Sequence, residues 1–386
     1  MTTRQFIEEH LHDDVHELAL KYSNAEVDMA LALRQIEARQ LLQKKVPSWS
    51  DNPDLLFPAH LSVEQCSSEA TAQYKASLLH GDTFADLTGG LGVDCFFISQ
   101  GFKKTDYVEV NSELCRIADH NFKTLGSEIQ VHNSATETYL SQEKPIDVIY
   151  LDPARRDQHG RKTVSISDCS PNVIELQDLM LQKAKKAMVK LSPMLDISKA
   201  LEELRHVSEV HVVAVANECK ELLFILEQGF EGTPIIACVN LQTEQPQIRF
   251  SQDEERHCEE STTKAIHHFL YEPNTALMKA GCFNLLAKRF GVQQLQRNSH
   301  LYTSEQLVKD FPGRIFTVEG WAPYNKKTKQ TLLADVDKAS IATRNFPLSV
   351  AELRKTLKIA DGDTVYLFAT TVGSEKVIIK TRKTKF

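Results

Sequence analysis

The run IDVIYLDPARRD, residues 146–157, ends an apolar segment abruptly on an aspartate, a proline and two arginines. Val148 and Tyr150 point one way and Ile149 and Leu151 the other, the pattern of a strand covered on both faces in a parallel sheet. Open α/β sheets take their ligands outside the carboxyl ends of such strands. There Asp152, followed by Pro153, can accept a hydrogen bond from an attacking N–H or O–H, or orient it through its backbone carbonyl. Upstream, FADLTGGLGVD places Asp86 at a strand end, then Thr88 and Gly89, Gly90 and Gly92 in a tight turn before a helix. Glycines let a backbone approach a ligand closely and adopt positive φ. The dinucleotide fingerprint wants a third glycine where this chain has Cys95, which argues against nicotinamide chemistry. Glu109 ends the next strand, about 20 residues beyond the turn, where a carboxylate can take both hydroxyls of a ribose. Arg155, Arg156, Arg161 and Lys162 crowd the loop after Asp152. Guanidinium forks suit phosphate, and pairing with Asp157 or Asp168 is the alternative use for them. Asn217, in ANECKELL at a later strand end, is a further candidate for substrate contact; a helix N-terminus explains that stretch equally well.

These residues need a scaffold. Between Thr83 and Leu241 strand-like and helix-like segments alternate, with strands at TFADL, DYVEV, IQVH, DVIYLD, AMVKL, VHVVAV and IIACVNL. The alternation predicts a seven-stranded, doubly wound parallel α/β sheet. Residues 1–58 read as an N-terminal helical region closed by the proline-broken VPSWSDNPDLLFP. The sheet domain covers 59–241, an α+β module 242–325, and a last module 326–386 ends in a hairpin with Gly-Ser at its tip. His12 and His16 have the i,i+4 spacing of metal ligands on what reads as one helix, but with no matching site elsewhere they are a solvated face, and no metal is expected.

A chain of 386 residues with 42% hydrophobic and 25% charged residues is a multidomain globular protein. No apolar run approaches the roughly 20 residues of a membrane span, and MTTRQFIEEHLHDD lacks the layout of a signal peptide. Eight scattered cysteines without a CxxC pair fit reduced thiols, so the cytoplasm is the expected compartment. The net charge is −7, yet residues 340–386 hold nine lysines and arginines against four acids.

Asp86-x-Thr-Gly-Gly-x-Gly92, an acid ending strand two and Asp-Pro ending strand four resemble the class I S-adenosylmethionine-dependent methyltransferases. The whole chain resembles a bacterial group of these enzymes with a ferredoxin-like module and a C-terminal THUMP-like domain, the latter through RNFPLSVAELRKTLKIADGDTVYLFATT. The resemblance implies a Rossmann-like seven-stranded sheet with S-adenosylmethionine over the strand ends. Asp86, Thr88, Gly89, Gly90 and Gly92 would face its methionine part, Glu109 and Val110 the ribose and its surroundings. Ser134 stands where many relatives have an aspartate for the adenine amino group, leaving Asn133 or Ser134 for that contact. Asp152, Pro153 and Arg155 would form the catalytic motif, and Arg155, Arg156, Arg161 and Asn217 would meet the substrate. IADHNFKTLG, with Asn121, resembles the corresponding helix in members acting on RNA. Ala154 and Arg155 replace the proline and stacking aromatic of amino-methylating relatives, and Ser192 replaces the cysteine required for carbon-5 methylation of uridine.

The resulting reading is an S-adenosylmethionine-dependent methyltransferase acting by in-line methyl transfer on RNA, either tRNA or rRNA. A protein or small-molecule methyltransferase, and a non-catalytic RNA-binding protein retaining the cofactor fold, are the alternatives.

Overall fold

The computed structural model describes residues 1–22, 27–58, 60–142, 144–155 and 165–385. The chain forms two compact units, one of residues 1–210 with 221–232 and one of residues 211–220 with 233–386.

In the first unit, strands β1 (Thr83–Asp86), β2 (Lys104–Glu109), β3 (Ile129–Asn133), β4 (Ile146–Leu151) and β5 (Ala184–Leu191) lie parallel in the order β3-β2-β1-β4-β5. β4 is the covered strand its pattern predicts: Val148, Ile149, Tyr150 and Leu151 are each at most 1% exposed. After β6 (Val207–Val215), the chain departs from the sequence expectation. ECKELL does not open a helix; Glu218–Glu227 is a ten-residue strand, β7, antiparallel to β5. Ala216 and Asn217, at φ 47° and 68°, reverse the chain between β6 and β7, as a two-residue hairpin turn requires. With Ala-Asn instead of Asn-Gly at those positions, the turn signal is hidden, and Leu222–Leu226 are buried without a polar helical face. IIACVNL is a strand, β8 (Ile235–Leu241), and it pairs with β9 (Ile248–Ser251) in the second unit.

The N-terminal helices α1 (Thr3–Glu9), α2 (Val15–Lys21) and α3 (Met29–Leu42) belong to the first unit. His12 and His16 do not share a helix, because Asp14 caps α2 and takes the N–H groups of His16 and Glu17. Leu42, Val46, Trp49, Leu55 and Phe57 pack with Leu91, Val93 and Phe97 beside the glycine turn. The proline-broken connection is pinned rather than loose. Buried Arg39 donates to the carbonyls of Ser50, Asn52, Pro53 and Leu55, and Gln35 clamps both backbone groups of Phe57. Asn121 does the same for Leu56 and is fully buried, so its sequence position serves packing.

The second unit holds β10 (Phe269–Pro273), β11 (Gln293–Gln294), β12 (Tyr302–Ser304), β13 (Gly313–Pro323), β14 (Ser340–Arg344), β15 (Tyr366–Val372) and β16 (Glu375–Lys383). Their order is β11-β12-β10-β13-β16-β15-β14. The expected terminal hairpin is β15–β16, with Val372 opposite Glu375 across Gly373 and Ser374. A single core joins Leu270, Leu295, Leu301 and Phe316 to Phe368, Val372, Val377 and Ile379.

None of the eight cysteines is in a disulfide, and most of them are buried. Among the described residues no helix is long and apolar enough to cross a membrane, and no cluster of three His, Cys, Asp or Glu could hold a metal ion.

Candidate active site

The chemistry-bearing residues meet at the carboxyl ends of β1, β2, β4 and β5, all within the first unit. Asp86, 1% exposed, accepts the Thr88 N–H at 3.0 Å, which folds the chain into the glycine turn. Thr88 Oγ1 in turn accepts the Asp152 N–H at 2.6 Å, tying the turn to the Asp-Pro segment. Glu109 Oε2 takes the Gly90 N–H at 3.0 Å and Oε1 the Asn111 N–H at 2.8 Å, so this carboxylate is oriented before any ligand arrives.

Two glycines are required for different reasons. A Cβ on Gly89 would sit 2.1 Å from the Tyr107 ring, whose hydroxyl donates to the Gly90 carbonyl. Gly90 has φ +55°, and a Cβ there would meet nothing nearer than the Thr88 carbonyl at 3.8 Å, so the turn is open on that side. Gly92, with φ +88°, is the N-cap of the helix α4 (Val93–Ser99).

Electrostatically the site is acidic. Burial pushes the Asp86 carboxyl well above its ordinary pKa, the Thr88 N–H opposes it, and Asp94, Asp152 and Glu109 push the same way as burial. A buried carboxylate in that setting is deficient in positive charge.

Val110 is 69% exposed beside Glu109. Asn133 spends its amide N–H groups on the carbonyls of Glu109 and Val110, and the Ser134 hydroxyl donates to the Ala135 carbonyl. Pro153 is buried behind Asp152. Arg155 contributes its backbone to a two-residue bridge with Cys169, its side chain lying outside what is described, as do Arg156, Arg161 and Lys162 altogether. Asn217 lies in the second unit, where its Oδ1 takes the Thr275 N–H and its N–H meets Asn240 Oδ1.

Asp152 is joined through Lys190 to a buried group of charged residues, of which only Glu221 lies in a stretch, ANECKELL, that the sequence singles out. Lys190, near the end of β5, places Nζ 2.5 Å from Asp152 Oδ2. Behind it Lys75, fully buried, holds Glu221 at 2.9 Å and Asp94 at 3.1 Å. Ser67 and Tyr150 each donate to Asp94 Oδ2 at 2.7 Å. Burial notwithstanding, Lys75, Lys190 and these hydroxyls hold Asp94 below its ordinary pKa, whereas burial dominates at Glu221 and raises it. A lysine inside the otherwise apolar AMVKL was the available signal for Lys190.

Residues 269–312 match a ferredoxin-like domain family and residues 313–383 a THUMP domain-like family. A crystal structure from Porphyromonas gingivalis W83, of a protein whose methyltransferase name is provisional, is 35% identical with a TM-score of 0.89. That likeness covers 99% of this chain and 98% of the other. A class I S-adenosylmethionine-dependent methyltransferase of Listeria monocytogenes, likewise provisionally named, aligns at 12% identity and TM-score 0.38 over 62% of this chain and 93% of its own. An rRNA methylase of Streptococcus thermophilus aligns at 16% identity and TM-score 0.31 over 41% and 93%. The last two likenesses are too low to carry an argument. No curated protein matches the sequence. The near-complete, 35% identical relative and the two adjoining domain matches place the chain in its family: it belongs to the methyltransferase family that carries a ferredoxin-like domain followed by a THUMP-like domain.

Proposed function

We propose that the strand-end site of the first unit binds S-adenosylmethionine and that the enzyme methylates RNA. The observation that carries the reading is the buried, cation-deficient Asp86 beside the open backbone of Gly90, with Glu109 and Asp152 on either side. When bound, S-adenosylmethionine supplies an electrophilic methyl carbon, its sulfur keeping the bonding pair as the nucleophile's lone pair forms the new bond. The residues present fit that ligand. Asp86 is suited to the positive charge of its amino-acid end and Glu109 to the ribose diol. A carboxylate has about four acceptor positions, so the two N–H groups already on Glu109 leave room for two hydroxyls. Asp152 accepts the nucleophile's N–H or O–H and aligns its lone pair, and the proton passes to solvent.

The THUMP-like match supports an RNA substrate. The basic excess of the C-terminal end supports it less than its count implies. Arg344 pairs with Glu272, Arg354 with Asp361, Lys380 with Asp335, and Arg382 with Glu319. Lys355, Lys358, Lys376, Lys383 and Lys385 are exposed and available to phosphates. The deciding experiment incubates the enzyme and tritiated S-adenosylmethionine with an extract of cells lacking the gene. Label removed by ribonuclease supports the reading; label removed by protease and resistant to ribonuclease overturns the RNA substrate.

Glu109→Ala weakens S-adenosylmethionine binding at least tenfold by calorimetry. Hydrogen bonds to a charged group are worth about 1.5–3 kcal/mol each, and the glycine turn loses its anchor as well. Unchanged affinity would remove Glu109 from the site.

Binding also depends on pH through Asp86. Its pKa is raised by burial, and a cation alongside favours the carboxylate and lowers that pKa, so binding is tied to the loss of a proton wherever the free enzyme carries one there. Binding therefore expels a proton, and affinity rises with pH through the free-enzyme pKa and then levels. Calorimetry in buffers of different ionisation enthalpy between about pH 5 and 8 measures the expelled proton. A flat affinity with no proton released places the cation away from Asp86.

A further inference from the structure

Lys190 lies on β5 between Val189, fully buried, and Leu191, 5% exposed, a setting in which an ammonium is costly unless paired. Two uses for it are conceivable: neutralising the buried acids Asp94 and Glu221, or serving Asp152. The geometry separates them. Lys75 already reaches both carboxylate oxygens of Glu221 at 2.9 Å and Asp94 at 3.1 Å. The close partner of Lys190 is Asp152 Oδ2 at 2.5 Å, and the Asp152 side chain is 35% exposed where Lys190 is 15% exposed. The lysine is therefore the sheltered member of the pair and the aspartate the one that meets solvent.

Resting on the methyl-transfer reading, we propose that Lys190 is a positioning residue: its ammonium holds Asp152 Oδ2 and turns Oδ1 toward the incoming nucleophile as an acceptor. Two further facts agree with this role. Burial works against the lysine's charge, but Asp152, Glu221 and Asp94 outweigh it, so Lys190 stays protonated more firmly than a free lysine and does not take the nucleophile's proton. The Asp152 N–H is bound by Thr88 Oγ1, so the residue is held from both its backbone and its side chain. Lys75, through Asp94 and Glu221, joins the helix at Glu69–Leu78 to α4 and β7, so the acids near Lys190 are themselves held in place.

The test compares Lys190→Met, Lys190→Arg, Asp152→Asn and the double variants with the wild type. Methyl transfer is read as tritium incorporated into the gene-deleted extract, which contains the acceptor whatever its class, and cofactor affinity is read by calorimetry. Lys190→Met is expected to bind S-adenosylmethionine within about threefold of the wild type and to transfer methyl at least roughly 30-fold more slowly. Lys190→Arg keeps the charge and recovers most of that loss. In the Asp152→Asn background neither Lys190 substitution slows the enzyme further, because the group Lys190 acts through is already gone. Transfer by Lys190→Met within threefold of the wild type overturns the proposal. So does a loss of cofactor affinity that matches the loss of rate, or additive losses in the double variant. If Lys190→Met does not fold, Lys190→Gln takes its place, with the same expected losses and the same overturning outcomes. Label that proves to be in protein refutes the RNA substrate and leaves the Lys190 comparison intact. Wild-type enzyme that transfers no label refutes both.

Discussion

Asp152→Asn transfers methyl roughly 10²-fold more slowly than the wild type or worse, while its affinity for S-adenosylmethionine stays within about threefold. The substitution keeps size and shape, so it isolates the acceptor function. In the wild type Lys190 Nζ sits 2.5 Å from Oδ2. An asparagine must offer that ammonium its carbonyl oxygen, because its own NH₂ is a donor and would be repelled. The NH₂ then occupies the place of Oδ1 and presents donors to a nucleophile that itself brings an N–H or O–H. Alignment is lost, and the cofactor contacts proposed for Asp86 and Glu109 are not. Single-turnover transfer and calorimetry on the same preparation check the two halves. An Asp152→Asn enzyme with full transfer would show that the Asp152 side chain is not the nucleophile's acceptor, leaving its backbone carbonyl for that role.

Cutting the chain after Tyr324 leaves the second unit unable to fold. Sequence composition presents residues 326–386 as a module that could be removed to test RNA binding alone. The sheet forbids it. β16 is the hydrogen-bonded neighbour of β13 from Phe316 opposite Lys383 to Pro323 opposite Val377. The cut also removes Phe368, Val372, Val377 and Ile379 from the core they share with Leu270, Leu295, Leu301 and Phe316. Each buried side chain of this size is worth about 1.5–3 kcal/mol, so four amount to roughly 6–12 kcal/mol. That is the whole stability of an ordinary domain. The exposed edge of β13 would then offer a template for aggregation. Gel filtration and hydrogen exchange across residues 269–323 check this: a monomeric truncation with protected β10 and β13 would contradict it. RNA binding is therefore better probed by replacing Lys355, Lys358, Lys376 and Lys383 in the full chain and following the salt dependence of affinity.

Period and residue type were enough to read β1 to β5, the glycine turn and the terminal hairpin, because each is a local preference that tertiary packing reinforces. Leu151 to Asp152 marks the end of a covered strand, and Asp86-x-Thr-Gly-Gly-x-Gly92 marks a tight turn, from the sequence alone. The tertiary structure decided what these elements are joined to. β7 was hidden because its turn at Ala216 and Asn217 lacks the usual glycine, so ECKELL reads equally well as the start of a helix. Asn121 and Asn217 have the polarity of ligand contacts, but the structure uses them to satisfy backbone groups at Leu56 and Thr275. The paired arginines and lysines of the C-terminal end were indistinguishable by count from the exposed ones. Lys75, Asp94, Lys190 and Glu221 are scattered along the chain, two on helices and two on strands, and only the packing of helices on the sheet brings them together. Charges far apart in sequence acquire meaning when folding removes the water between them, and no spacing rule records that distance.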